Sequence, residues 1–460
     1  MTVSGWGKFP TIDAQISAPN SAATLGRLVS HGADVSRSSI ARGAGRSYGD
    51  SALADHLIST RYLDNFLGLA TSEQGEIVMH CAAGLSLEQV LNTVVPKGLF
   101  LPVLPGAKAV TVGGAIASDV HGKNHHIDGS FCDHVDSLNL LLANGEILNC
   151  SRTHNAELFR ATCAGMGLTG VVLDAKLRLH SLPSTSVKQK AIVAKNLEHC
   201  MELMANHEQS PFSVAWIDCL AEEEALGRSV LYLGEFQTRH ELDSTSNRSA
   251  QGIADAQGRQ PLRAIKRREV NIPFHAPSPL LNRYTMRGFN SSYYTLKKIL
   301  PADSTTDYDA FFFPLERLKN WNRLYGRKGF LQYQFVVPYE SAFEAISAVL
   351  ETAARAGKGS FLSVLKRFGK GNDNYLSFPI DGYTLALDFK MESTLFSLLD
   401  RLDAIVLQHG GRLYLAKDAR MSAEFFRKTY PAWERFMEIK AKYDPNGAFS
   451  SLQSRRLGLT

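Results

Sequence analysis

The chain has 460 residues, 44% of them hydrophobic and 21% charged, with a formal net charge of +5. That length exceeds one compact core and predicts two domains, or one domain with a large insertion. The mild charge excludes wholesale nucleic-acid binding while leaving room for a local basic patch. Six scattered cysteines (Cys81, Cys132, Cys150, Cys163, Cys200 and Cys219) include no CxxC pair, which argues against a zinc ribbon or a thioredoxin-type site.

Met1 to Pro10 carries no apolar leader, and no apolar run approaches the roughly 20 residues that span a bilayer. Together with unpaired cysteines this predicts a cytoplasmic setting. Along the chain, Ser39–Ala41, Ile77–Cys81, Ser137–Leu142 and Val171–Leu179 are expected as strands, and Leu87–Val95 and Ala156–Ala161 as helices. Asn144-Gly145 is a hairpin signal, and Pro183 marks a boundary. Between about 184 and 408, Val214–Asp218, Ser229–Phe236, Phe330–Val337 and Tyr383–Phe389 are expected as strands. Glu340–Arg355 and Glu392–Gln408 are expected as amphipathic helices. This pattern predicts an α+β fold in which an antiparallel sheet carries helices on one face. Residues 240–300 turn polar and basic and are expected as a mobile loop. From 409 the chain carries Gly410-Gly411, the apolar Leu413–Leu415 and one helical stretch, Ala423–Tyr443.

Two glycine loops carry chemistry. The first is Ala41-Arg42-Gly43-Ala44-Gly45-Arg46-Ser47-Tyr48-Gly49-Asp50-Ser51. Glycines let backbone N–H groups crowd an anion, and Arg42 and Arg46 add charge, so a diphosphate suits it; a tight structural turn is the alternative. The second runs from Gly106 through Thr111-Val112-Gly113-Gly114 to Ser118-Asp119-Val120-His121, then Gly122-Lys123-Asn124-His125-His126. Small residues there leave room for an extended cofactor. Gly165 to Gly170 matches GxGxxG literally, but a helix precedes it and a strand follows, which is the wrong order for a dinucleotide fingerprint. His121 and His125 have i, i+4 spacing, but Gly122 argues for a loop, so ligand contacts or structural hydrogen bonds are expected in place of zinc.

In order along nearly the whole chain, Ala41–Asp50, Pro102–Pro105, Thr111–Ala117, His121–His126, Gly167–Gly170, Gly329–Phe335, Ser377–Ile380 and Gly410–Asp418 resemble the vanillyl-alcohol-oxidase-type FAD-binding family. Within it, the chain is similar to the branch that oxidises the ribose 2′-hydroxyl of decaprenylphosphoryl-β-D-ribose, the first half of an arabinose-forming epimerisation. The resemblance implies that residues 1–183 and 409–460 form an FAD domain around a substrate domain, 184–408. It also implies that Ala41–Ser51, Gly106, Thr111–Gly114 and Ser118–His121 hold FAD, with Val171 and Tyr414 lining the flavin. Lys417 is expected beside flavin and sugar, Gln332, Gln334 and Lys366 in the substrate pocket, and Lys123 and Tyr48 near the isoalloxazine. Lys417 and Tyr48 are the expected catalytic residues.

Bottom-up chemistry is compatible with these roles. Hydride leaves a carbinol carbon most easily as the hydroxyl loses its proton. Lys417 is expected to act by electrostatic stabilisation, or as proton acceptor if burial depresses its pKa. Gln332 and Gln334 share strand parity and point to one face. Relatives in the wider family carry a histidine where Arg46 stands, so FAD is expected to be non-covalent. Mycobacterial members read Asn-Ile-Cys where this chain has Thr384-Leu385-Ala386, so agents attacking that cysteine should fail here; Phe312 replaces a tyrosine.

Arg259 to Lys298 carries nine basic residues and one acidic residue, with interleaved aromatics. Such a stretch suits an anionic bilayer surface holding a polyprenyl-phosphate sugar, with a solvated loop as the alternative. The implied partners are that lipid sugar, a short-chain NAD(P)H-dependent keto-reductase and a peripheral membrane surface, with the cytoplasmic side of the inner membrane expected and the periplasmic face as alternative. The rival readings are an oxidase of a soluble alditol or aldonolactone and a flavin-free anion- or carbohydrate-binding protein.

Overall fold

Alternating side chains build the largest element, an antiparallel sheet of eight strands. Its order is Asp303–Asp307, Ser186–Ala194, Ser229–Phe236, Phe212–Ile217, Ser363–Phe368, Gly382–Lys390, Phe330–Pro338 and Arg412–Leu413. The computed structural model describes residues 1–34, 38–238, 241, 262, 268–277 and 280–460. One face of the sheet is a core: Leu331, Tyr333, Phe335, Leu365, Leu385 and Leu387 are buried against helices Ala342–Arg355 and Leu395–Gln408. Period-2 alternation then forces Gln332, Gln334, Val364, Lys366, Thr384 and Ala386 onto the other face.

The N-terminal part forms two further sheets. Six strands, including Phe66–Thr71, Ile77–Ala82, Val135–Leu141, Ile147–Ser151 and Val171–Ser181, pair antiparallel. The Asn144-Gly145 turn joins the Val135–Leu141 and Ile147–Ser151 strands, with Gly145 at φ 86°. Three short strands, Gln15–Ser17, Ile40–Arg42 and His56–Ser59, pair in parallel. The chain after 409 serves both parts: Arg412–Leu413 closes the edge of the large sheet, and Phe449 bridges Ser39 beside the parallel strands.

Three expectations need correction. The polar stretch expected as a loop over 240–300 contains a helix, Arg283–Ile299, capped by Asn282. Its buried face is Met286, Asn290 and Tyr294, and a buried asparagine in that row blurs the apolar period. Of the basic residues counted there, Arg259, Arg263, Lys266 and Arg267 lie outside the described residues. The Thr111–Ser118 glycine stretch is a short helix, Val112–Ala117, with Thr111 accepting from the Gly114 N–H. The single helix expected over 423–443 is two, Ala423–Thr429 and Trp433–Tyr443, because Pro431 lacks an N–H and holds Tyr430 extended.

The C-terminal return is held by a buried ion pair. Lys440 Nζ lies 2.6 Å from Asp444 and donates to the Phe449 carbonyl, while Asp444 accepts the N–H groups of Ala448 and Phe449. Asp444→Ala leaves Lys440 charged and unpaired inside the core, and a loss of about 3–5 kcal/mol is expected. Urea unfolding of the two proteins measures it; a loss below 1 kcal/mol would remove this pair as the anchor.

Candidate active site

Between the glycine loops and the polar face of the large sheet lies one continuous cavity of about 1920 Å³. Small-molecule pockets usually measure roughly 300–1,000 Å³, so this one has room for a dinucleotide-sized group and a second ligand. Its wall brings together Ala41, Gly43 to Tyr48, Ser51, Gly106, Thr111, Gly113, Gly114, Ser118, Val120, His121, Val171 and Tyr414. Lys123, Gln332, Gln334, Lys366 and Lys417 complete it.

Five residues expected at the cofactor stand behind that wall. The Arg42 guanidinium donates to the carbonyls of Ser4 (2.7 Å) and Ala52 (3.1 Å), so it braces the loop from outside. Gly49 packs on the Asp418 backbone so closely that any Cβ would overlap the carbonyl. Asp50 pairs with Arg456 at 2.9 Å. Val112 is fully buried in the core. Asp119, at φ 41°, accepts from Ser130, Cys132 N, Asn372, Asn374 and Ser377, tying the second loop to the 372–377 segment.

The first loop has the donor set a diphosphate needs. Among the described residues, no backbone N–H from Gly43 to Ser47 meets a protein acceptor. Gly45 turns the loop at φ 64°, a conformation that favours glycine. Arg46 stacks over Trp6 at 4.3 Å, and its buried Nε has no protein partner. Such an array of open donors beside a guanidinium suits an anionic, extended group, and FAD fits it.

At the far end of the loop Tyr48 turns toward the sheet. Its N–H donates to Ala416 O at 3.0 Å, and Lys417 Nζ stands 3.7 Å from its ring centroid. Asp388, fully buried on the Gly382–Lys390 strand, accepts from Gln332 Nε2 (2.6 Å) and Tyr325 OH (3.2 Å). Gln334 Nε2 contacts His121 Nε2 at 3.0 Å and donates to Thr384 Oγ1 at 3.2 Å. Lys366 Nζ reaches His121 Nδ1 at 3.5 Å, and Lys123 Nζ donates to the Phe311 carbonyl and lies 4.3 Å from that ring. Tyr414 OH donates to Ser118 O at 2.8 Å. The other histidines of the second loop serve structure: His125 Nδ1 accepts from Gly369 N–H, and His126 contacts Ser210 O at 2.9 Å.

Burial sets the charges. It pulls Lys417 down to about 7, with Asp388 opposing the fall and Lys366 adding to it. Lys123 is likewise lowered to about 7 by burial and then by Lys366, and Lys366 to about 8 by burial alone. His121 falls well below its ordinary value through burial, then through Lys366, His125 and Lys417. Asp388 is pushed up to about 7 by burial, against the Gln332 hydrogen bond and the Lys417 charge. Neither Lys123 nor Lys366 meets a carboxylate among the described residues. Buried lysines left without counter-ions take up their protons when an anion binds beside them, which makes a receptor for anions.

Sequence reasoning missed Asp388, Arg456 and Trp6. Asp388 faces Gln332 across a strand pair, and only the sheet register puts them together. Phe312, buried in a cluster with Phe100, Phe212 and Phe311, also reaches the cavity, as do Thr384 and Ala386.

Comparison with known proteins places this geometry. An FAD binding domain model matches residues 14–151, and a D-arabinono-1,4-lactone oxidase model matches residues 326–457. The decaprenylphosphoryl-beta-D-ribose oxidase of Mycolicibacterium smegmatis is 35% identical over 99% of this chain and 97% of its own length. The L-gulonolactone oxidase of Bos taurus is 25% identical over 88% of this chain and 86% of its own. The L-gulono-1,4-lactone dehydrogenase of Mycobacterium tuberculosis is 22% identical over 98% of each.

Gly49→Ala sets a Cβ against backbone that cannot step aside, and so displaces the segment carrying Lys417. Overpacking of this kind costs about 1–3 kcal/mol. Purified Gly49→Ala protein is expected to melt lower and to carry less than half the parental flavin absorbance; parental values for both would refute the packing argument.

Proposed function

The chain belongs to the decaprenylphosphoryl-β-D-ribose oxidase family of FAD-binding oxidoreductases, and we propose that it oxidises the ribose 2′-hydroxyl of a polyprenylphosphoryl ribose to the 2′-keto sugar. The observation that carries this reading is the pair of buried lysines beside Gln334. Lys123 and Lys366 lie there without carboxylate partners, so an anionic sugar suits the site better than a neutral alditol or lactone. The full-length match at 35% identity, against 25% for a lactone oxidase, points the same way.

In this reading residues 1–183 and 409–460 hold FAD and 184–408 hold the substrate. When bound, FAD supplies the hydride acceptor. Gln334 and Thr384 hold the ribose hydroxyls, and Lys366 and Lys123 take the phosphate. The Tyr48 ring and the Asp388 charge both support the protonated form of Lys417. A lysine at about 7 is roughly half neutral at physiological pH. This favours Lys417 as acceptor of the 2′-hydroxyl proton over the purely electrostatic role. The first loop offers no histidine or cysteine, and His121, the only histidine of the cavity wall among the described residues, is held by Gln334 and Lys366. Both features support an FAD held without a covalent bond.

The keto product needs reduction from the opposite face to complete an epimerisation, and a separate NAD(P)H-dependent keto-reductase supplies it. No described helix is long and apolar enough to cross a membrane; a peripheral contact through the basic 268–298 region would bring the enzyme to its lipid substrate.

The first test is anaerobic absorbance of the purified protein at the flavin band with farnesylphosphoryl-β-D-ribose, free ribose, an alditol and an aldonolactone. Bleaching by the lipid sugar alone, and release of FAD into the supernatant on acid precipitation, are expected. Bleaching by the lactone or alditol without response to the lipid sugar moves the chain to the rival oxidase class.

The second test reads Lys417. With a neutral lysine as proton acceptor, the bleaching rate rises with pH through about 7 and then levels. Lys417→Met should slow it roughly 10²–10⁴-fold. Asp388→Asn removes the charge that supports the Lys417 proton, so the midpoint should move to lower pH. A rate that instead falls as pH rises through 7 would assign Lys417 the electrostatic role.

A further inference from the structure

A buried hydrogen-bond chain in the cavity wall has a fixed direction. Thr384 Oγ1 lies 2.8 Å from the Phe335 carbonyl oxygen. A carbonyl only accepts, so the threonine hydroxyl spends its one proton there. Toward any other group Thr384 Oγ1 is then an acceptor. The two ends of a glutamine amide differ little in size, and only their partners tell them apart. The end of Gln334 that lies 3.2 Å from Thr384 Oγ1 must donate, which makes it the amide nitrogen. The same nitrogen lies 3.0 Å from His121 Nε2 and has one N–H left for it. His121 Nε2 therefore accepts.

Burial, then Lys366, His125 and Lys417, keep the His121 ring neutral, with the Gly122 backbone opposing. Its single N–H accordingly sits on Nδ1. The rings of Phe368, Phe378 and Tyr414 pack around the imidazole at 4.7, 5.9 and 5.5 Å. Nδ1 faces Lys366 Nζ at 3.5 Å, the limit of a hydrogen bond, so that end of the chain does not set its direction. Lys366 spends no N–H on the ring, and its ammonium hydrogens stay available to an anion.

Both N–H groups of Gln334 are thus used inside the protein, while its Oε1 meets no protein donor among the described residues. Gln334 lines the cavity, so this carbonyl oxygen is the atom left to a ligand. Gln332 is fixed differently: it donates to Asp388 at 2.6 Å, a carboxyl that burial pushes up to about 7. The Thr384 hydroxyl does not ionise, so the direction at Gln334 holds across neutral pH. An asparagine at 384, as in the mycobacterial pattern, carries both a donor and an acceptor and would impose no direction.

We infer that Thr384 is a positioning residue whose hydroxyl directs the Phe335–Thr384–Gln334–His121 chain, so that Gln334 shows only its carbonyl oxygen to the cavity and selects a sugar hydroxyl by accepting from it. The sugar as partner rests on the proposed phosphosugar oxidation; the direction of the chain does not. The reacting 2′-hydroxyl gives its proton to Lys417 in that reading, so Gln334 takes the 3′- or the 5′-hydroxyl.

Two measurements test this. In ¹⁵N spectra of histidine-labelled holoprotein, with the His121 signals identified by their loss in His121→Gln, the parent and Thr384→Ser are expected to show Nδ1 protonated and Nε2 bare. Thr384→Val keeps the shape without the hydroxyl and should show a mixture of the two tautomers. Protonated Nε2 in the parent, or an unchanged tautomer in Thr384→Val, overturns the direction. The second measurement compares farnesylphosphoryl-β-D-ribose with its 3′-deoxy-3′-fluoro and 5′-deoxy-5′-fluoro analogues, in which fluorine cannot donate, by kcat/KM for flavin bleaching. The parent and Thr384→Ser should reject one analogue by about tenfold or more, and Thr384→Val by about threefold or less. Flavin content and melting temperature verify that each variant is folded. Equal use of both analogues by the parent overturns the acceptor role of Gln334 while leaving the oxidation standing. A parent that does not bleach with the lipid sugar overturns the oxidation and the sugar as partner, and the tautomer still decides the direction.

Discussion

One guanidinium holds the active centre together. Arg456, on the last helix, lies 2.9 Å from Asp50 and 2.8 Å from Asp418. Asp50 ends the first glycine loop, and Asp418 follows Lys417. Both carboxylates are buried, and two like charges in that position are tolerable only with a shared cation between them. The same carboxylate of Asp418 accepts the N–H groups of Arg420 and Met421. The first glycine loop and the segment bearing Lys417 are thereby locked to each other by the C-terminus. This explains why the chain returns across the whole molecule after 409.

The second constraint is the division of labour between the two faces of the large sheet. One face is packed under two helices, and the register leaves Gln332, Gln334, Lys366, Thr384 and Asp388 on the other. Burial of that face depresses Lys366 and Lys417 and raises Asp388. Preorganised charge of this kind favours an anionic substrate and a proton acceptor active near neutrality, and it follows from burial.

The departures at Thr384, Ala386 and Phe312 fall on the same surface. Thr384 is absorbed into the sheet by donating to Phe335 O and accepting from Gln334, so it holds the amide that lines the cavity. Ala386 lines the cavity between Gln334 and Val364 on the neighbouring strands. Phe312 needs no hydroxyl partner because aromatic rings surround it.

The strands at Ile77, Val171, Ser229 and Phe330 were legible in the sequence because apolar alternation is a local property. So were the Asn144-Gly145 turn and the open-donor loop at Gly43–Ser47, because turn chemistry and glycine content are written in adjacent residues. The shared face of Gln332 and Gln334 followed from parity alone. The helix at 283–299 was hidden, since its buried face carries Asn290 bonded to Asp218, a partner 72 residues away. Asp388 under Gln332, Arg456 between Asp50 and Asp418, and the burial that lowers Lys417 are all matters of sheet register and long-range packing. Local sequence determines which groups are available and on which face they lie; only tertiary structure decides which of them lose water together, and that loss sets the charges on which the proposed chemistry depends.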